Sequence, residues 1–132
     1  MTYGLDTSVI MRLLMGEPSG LAIKVRNFIE EHLTDGDMFF VSCLAASEAY
    51  FALQRHYCMS KEAAIMAMRA LADEDGFTFS PEAKAALDTP DAWKASPGFV
   101  DRMLANEYSA RGFSTVSCEK DFRKLDFTEI IA

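Results

Sequence analysis

The sequence predicts an α/β fold with a mostly parallel central sheet of four to five short strands, flanked by helices on both faces in three layers. One observation and one general rule support this prediction. Short apolar runs bounded by turn residues alternate along the chain with longer segments in which apolar residues recur at helical spacing. Strands that alternate with helices form mostly parallel sheets, because each helix returns the chain to the same end of the sheet.

Five segments are predicted to be strands. The first is brief and runs directly into Asp6, Thr7 and Ser8. The second, residues 38–41, is wholly apolar and is therefore expected to be buried on both faces. The predicted strands cover residues 3–5, 38–41, 77–79, 113–117 and 127–131.

Six segments are predicted to be helices, from apolar periodicity and from residues typical of helix ends. Thr7 and Ser8 are N-cap candidates for the first helix, and Gly112 fits the end of the sixth. Residues 89–98 contain two prolines and are predicted to be a loop. The predicted helices begin near residues 8, 18, 43, 60, 81 and 97.

Length and composition predict a single domain over residues 1–132. Hydrophobic residues make up 50% of the chain and charged residues 25%, which is typical of globular proteins. No apolar run approaches the roughly 18 residues of a membrane span, and the N-terminus lacks a signal peptide, so no membrane association is expected. Cys43, Cys58 and Cys118 show no metal-type spacing, which favours reduced thiols and a cytoplasmic location.

The net charge of −7 argues against a simple nucleic-acid-binding module, whose surface would be basic. A nucleic acid would have to be held at a local basic patch or through bound cations. Five basic residues are candidate phosphate contacts, although each could equally well only face solvent. They are Arg102, Arg111, Lys120, Arg123 and Lys124.

Acidic residues stand at or near the predicted carboxyl edge of the sheet, where open α/β sheets bind ligands. Asp6 follows the first strand, and Glu119 and Asp121 follow the fourth; Glu48 lies in an alanine-rich helix and Asp101 in the first turns of another. Each residue also has a structural alternative. Asp6 could cap the next helix, Glu48 could be exposed and pair with Arg55, and Asp101 could interact with its helix dipole.

A cluster of carboxylates repels itself unless protons or metal ions neutralise it. Oxygen-only ligands favour hard divalent cations, above all Mg²⁺ or Mn²⁺. The sequence contains no convincing serine–histidine or cysteine–histidine set for nucleophilic catalysis. His32 and His56 lie in predicted helices away from the acids, and His32 is expected to face solvent.

Four separated motifs resemble those of PIN-domain nucleases. They comprise Leu5-Asp6-Thr7-Ser8-Val9 with Leu13-Leu14, then Ala46-Ser47-Glu48, Val100-Asp101-Arg102-Met103-Leu104 and Ser117-Cys118-Glu119-Lys120-Asp121-Phe122. In size and lack of extra domains, the chain is most similar to VapC-type toxins of bacterial toxin–antitoxin pairs. The resemblance implies a metal-dependent ribonuclease, usually a homodimer, inhibited by an antitoxin protein.

Carried over by motif, the resemblance assigns the catalytic and metal-binding positions to Asp6, Glu48, Asp101 and Asp121. Glu119 could share or replace Asp121, because Cys118-Glu119 departs from the asparagine or aspartate that the family often has there. Ser8 and Ser117 take the supporting hydroxyl positions.

Two other functions are compatible with parts of the sequence. A phosphatase of the haloacid dehalogenase type would need a second aspartate where Ser8 stands, which disfavours it. A PIN-like binding or regulatory protein with weak or no nuclease activity is the remaining alternative. Assaying nuclease activity with added metal separates this alternative from the enzyme.

Overall fold

The computed structural model describes residues 1–131 and confirms the α/β prediction. This part of the chain contains six α-helices, one 3₁₀ helix and five short strands. All predicted strands and helices are present, with ends displaced by a few residues. In chain order they are β1 (Thr2–Gly4), α1 (Thr7–Met15), α2 (Ser19–Thr34), β2 (Met38–Val41), α3 (Cys43–His56), α4 (Lys61–Asp73), β3 (Phe77–Phe79), α5 (Pro81–Leu87), α6 (Phe99–Ala110), β4 (Thr115–Ser117), the 3₁₀ helix (Lys120–Lys124) and β5 (Thr128–Ile130).

The chain divides into two compact units, a first unit from Met1 to Ser80 and a second unit from Pro81 onward. Both units have parallel strands: β1, β2 and β3 form a three-stranded sheet in the first, and β4 and β5 form a two-stranded sheet in the second. Between residues 1 and 131, no helix is both long enough and apolar enough to cross a membrane.

Strand β2 occupies the centre of the first unit's sheet, with β1 and β3 on either side. Phe39 and Val41 are fully buried, whereas Phe40 is half-buried and Met38 is 40% exposed. Alternate side chains of a strand point to opposite faces, so only the face that carries Phe39 and Val41 is completely covered. The prediction that this strand is buried on both faces is therefore wrong for Met38.

Helices α1 and α3 begin directly after the parallel strands β1 and β2, and they pack against each other. Asp6 is the N-cap of α1, as the structural alternative for this residue expected, and the candidates Thr7 and Ser8 instead lie within the helix. Ser42 is the N-cap of α3, and its side chain accepts a hydrogen bond of 3.1 Å from the Ala45 N–H. Both helix starts therefore lie at the carboxyl edge of the first unit's sheet.

An aromatic cluster connects α2 to β1 and β2. The ring of His32 lies 4.2 Å from that of Phe28 and 5.1 Å from that of Tyr3, measured between centroids. Its Nδ1 is hydrogen-bonded at 2.8 Å to Oδ2 of Asp37. The expectation that His32 faces solvent is wrong, because these contacts leave its side chain only 23% exposed.

The second unit pairs helices α5 and α6, which pack against each other. The side-chain amide of Asn106 on α6 donates a hydrogen bond of 3.1 Å to the Glu82 carbonyl oxygen on α5. Strand β4 pairs in parallel with β5, with Thr115 opposite Thr128 and Ser117 opposite Ile130. The 3₁₀ helix follows β4, and its Phe122 is buried.

Candidate functional site

Asp6 is an exposed residue whose carboxylate is held by its own helix. Oδ2 of Asp6 accepts a 2.5 Å hydrogen bond from Oγ of Ser8 and a 3.1 Å bond from the Ser8 N–H. These two bonds, the hydroxyl bond first, hold the pKa of Asp6 below its ordinary value. The capping interaction considered from the sequence is thus present, and it keeps the carboxylate ionised and fixed in direction.

Glu48 lies in the second turn of α3, in a helix whose other side is buried. Its neighbours Ala46 and Ala49 are fully buried, but Glu48 itself is exposed. Within residues 1–131 its side chain has no hydrogen bond or ion pair. Arg55, the alternative ion-pair partner considered from the sequence, instead lies with its guanidinium carbon 5.2 Å from the centroid of the Phe51 ring.

Asp101 and Asp121 are close enough in the second unit to influence each other electrostatically. Asp101 lies in the first turn of α6, and Asp121 lies in the first turn of the 3₁₀ helix after β4. Partial burial of the Asp101 carboxyl group, and secondly the negative charge of Asp121, raise the pKa of Asp101. The structure therefore brings together two acids that are 20 positions apart in the sequence.

Asp121 is oriented by a serine that the sequence analysis did not single out. Oγ of Ser96 donates a hydrogen bond of 2.5 Å to Oδ2 of Asp121. Ser96 lies in the predicted loop, which comes next to the 3₁₀ helix only through tertiary folding. A lone serine before a proline is a common sequence feature, so nothing in the sequence distinguished this residue.

Arg102 holds the same loop against α6. Its Nε donates a hydrogen bond of 2.7 Å to the carbonyl oxygen of Pro97, which is itself buried. Arg102 is one of the candidate phosphate contacts, and in the structure its guanidinium group bonds to the Pro97 carbonyl oxygen.

The two remaining candidates, Ser117 and Glu119, are joined locally at the end of β4. The Glu119 N–H donates a hydrogen bond of 2.9 Å to Oγ of Ser117. Glu119 is exposed, whereas Asp121 is half-buried and contacts Ser96. Of these two acids, Asp121 is the one whose charge acts on Asp101.

The carboxylates of four candidates share one electrostatic property; these are Asp6, Glu48, Asp101 and Asp121. In residues 1–131, none of them forms an ion pair with a lysine or arginine, so their charges are not neutralised by the protein. They offer oxygen ligands alone, a donor set that fits Mg²⁺ or Mn²⁺. Within the same residues, no three histidine, cysteine, aspartate or glutamate side chains form a group that could hold a metal ion. Convergence of all four acids on one cation therefore stays a prediction.

Comparison with known proteins gives the family. Residues 3–128 match the PIN domain, and the chain therefore belongs to the PIN domain family, whose members are generally nucleases. Among solved structures, it is similar to the crystal structure of VapBC2 from Rickettsia felis bound to a DNA fragment from their promoter. The alignment covers 99% of this chain and 98% of that chain at 13% sequence identity, with a TM-score of 0.44. A search of curated proteins found no match.

Proposed function

We propose that this protein is a divalent-metal-dependent endoribonuclease that hydrolyses RNA phosphodiester bonds. The observation that carries the proposal is the set of carboxylates at the positions of the PIN motifs. Within residues 1–131, no lysine or arginine side chain forms an ion pair with any of these carboxylates. Membership of the PIN domain family supports nuclease chemistry at these residues. The further role that we propose is that of the toxin in a type II toxin–antitoxin pair. This role rests on the resemblance of the chain to VapC-type toxins.

The proposed cation-holding residues are Asp6, Glu48, Asp101 and Asp121. Glu119 is the alternative to Asp121, and the electrostatic effect of Asp121 on Asp101 supports Asp121 as the first choice. A phosphodiester is an anion, which bare carboxylates would repel. Bound Mg²⁺ or Mn²⁺ would supply positive charge for a non-bridging phosphate oxygen and would lower the pKa of a bound water to generate the nucleophile.

The chain's own residues prepare this chemistry by fixing ionised oxygens in place. Ser8 directs Oδ2 of Asp6 and favours its charged form. Glu48 presents its carboxylate from an exposed turn of a helix whose opposite side is firmly packed. Ser117 supports the start of the 3₁₀ helix through the Glu119 N–H.

The expected partners follow from the same proposal. They are an RNA substrate, a cognate antitoxin protein and a second copy of the chain in a homodimer, all in the cytoplasm. The exposed carboxylates of Asp6 and Glu48 are accessible to a substrate or an inhibitor in the chain as described.

The deciding experiment compares cleavage of RNA by the wild type and by Asp6→Asn, with millimolar Mg²⁺ or Mn²⁺. Asparagine is as good an N-cap as aspartate, so the variant keeps the start of α1 while losing the ligand charge. We expect cleavage to be lost while the circular dichroism spectrum and melting temperature are retained. The control is Asp88→Asn, at an exposed residue of the second unit that pairs locally with Lys84.

If Asp6→Asn cleaves RNA as fast as the wild type, the proposal is wrong. If the wild type cleaves no RNA with either ion, the alternative of a PIN-like binding protein is favoured. A second measurement is independent of substrate: either cation should raise the melting temperature, because a ligand that binds only the folded state stabilises it.

A further inference from the structure

Within residues 1–131, the side-chain group that donates a hydrogen bond to the Asp121 carboxylate is the hydroxyl of Ser96. Building on the function proposed above, we propose that Ser96 is a positioning residue, which fixes the Asp121 carboxylate in the orientation that binds the divalent cation. This role concerns a residue outside the four PIN motifs.

The loop that carries Ser96 is held in place on its other side. The next residue, Pro97, is fully buried, and its carbonyl oxygen accepts the hydrogen bond from Nε of Arg102 on α6. The backbone of α6 continues this attachment, because the Arg102 N–H bonds at 3.0 Å to the carbonyl oxygen of Gly98. Ser96 therefore presents its hydroxyl from a segment with two attachments to the helix that also carries Asp101.

A neutral hydroxyl suits this task better than a lysine or an arginine. It donates one hydrogen bond to Oδ2 of Asp121 and adds no positive charge that would compete with a cation. Oδ1 of Asp121 has no hydrogen-bond partner within residues 1–131, so it is left for a ligand. The single bond from Ser96 therefore fixes one oxygen of the Asp121 carboxylate and leaves the other free to coordinate.

The role of Ser96 is tested through the affinity for Mn²⁺, measured by calorimetry and by electron paramagnetic resonance on the full chain. Residues that orient a metal ligand typically contribute 10- to 100-fold to metal affinity, so we expect Ser96→Ala to weaken Mn²⁺ binding by about tenfold or more. Ser96→Thr keeps the hydroxyl and should restore most of the affinity. Ser109→Ala is the matched control, at an exposed serine near the end of α6.

A double-mutant cycle separates positioning from general damage to the fold. In an Asp121→Ala background the hydroxyl has no carboxylate to orient, so adding Ser96→Ala should leave Mn²⁺ affinity unchanged. If Ser96→Ala binds Mn²⁺ as tightly as the wild type, or weakens binding equally in both backgrounds, Ser96 is not a positioning residue. If the wild type itself does not bind Mn²⁺, the proposed metal-dependent function fails, which is a different result.

Discussion

The carboxylates of Asp101 and Asp121 interact as like charges: the ionised Asp121 raises the pKa of Asp101, in addition to the larger effect of partial burial. This arrangement costs free energy in the protein without a cation, because the charged form of Asp101 is disfavoured twice. A divalent cation would relieve both effects at once. The pair is therefore one whose unfavourable charge a bound cation would reduce.

The first prediction concerns the charge of Asp121. Replacing Asp121 with Asn removes the like charge, so the pKa of Asp101 should fall, yet stay above its ordinary value because burial remains the larger cause. The shift is measurable by NMR titration of ¹³C-labelled aspartate carboxyl groups without metal. Asp126→Asn, at an exposed residue of the same unit, serves as control. An unchanged Asp101 pKa in the Asp121 variant would show that the two carboxylates do not interact.

The second prediction concerns the support of Asp6 by Ser8. Ser8→Ala removes the hydroxyl bond, which is the largest cause of the lowered pKa, but keeps the bond from the Ser8 N–H. The pKa of Asp6 should rise while remaining below its ordinary value. Cleavage of RNA should fall about tenfold, as expected when a group that orients a metal ligand is lost.

Ser8→Thr keeps the hydroxyl group and provides the control for this prediction. It should retain both the low pKa of Asp6 and most of the cleavage rate. If Ser8→Ala leaves both quantities at their wild-type values, the hydroxyl bond does not orient the carboxylate in solution.

The elements of this fold could be predicted from the sequence because each is specified locally. Periodic apolar residues mark α1 and α3, and short apolar runs such as Met38–Val41 mark strands. The sequence alone leaves Asp6, Thr7 and Ser8 as N-cap candidates for α1, because aspartate, serine and threonine all cap helices well. Here Asp6 alone lies in the extended conformation just before the helix and accepts the bond from the N–H two residues later.

The details of the candidate site depend on contacts between distant parts of the chain. The hydrogen bond between Ser96 and Asp121 joins residues 25 positions apart, so no local sequence pattern predicts it. The expectation that His32 is exposed was wrong for the same reason, since its partner Tyr3 on β1 meets it only after β1 and α2 have packed together. Motif spacing selected the candidate acids, but it could not identify the side chains that hydrogen-bond to them.

The third prediction concerns the pH dependence of stability at Asp37. A hydrogen bond to His32, and secondly one to the N-terminal ammonium group, lower the pKa of Asp37 from 3.8. Since its pKa is lower in the folded state, the unfolded state binds more protons below about pH 4. The stabilisation is therefore present above this pH and is lost as the pH falls through the folded-state value.

Asp37→Asn should accordingly have a lower melting temperature than the wild type at pH 7. The difference should stay nearly constant as thermal unfolding is repeated down to about pH 4, and it should shrink as the pH is lowered further to about 3 and the Asp37 carboxylate becomes protonated. Asp35→Asn, at an exposed residue two positions earlier, is the matched control. A deficit of Asp37→Asn that is constant across this range would mean that the interaction does not depend on the ionised carboxylate.

The fourth prediction concerns Gly76, just before β3. Its φ of +87° is unfavourable for other residues, and a Cβ there would overlap Cδ2 of Leu33. Gly76→Ala should therefore lower the free energy of unfolding by about 2 kcal/mol or more, measured in urea. Gly20→Ala, in α2 with open space around it, should not destabilise the protein, because alanine favours helix. Equal stability of the two variants would contradict the close approach of Leu33 to the turn before β3.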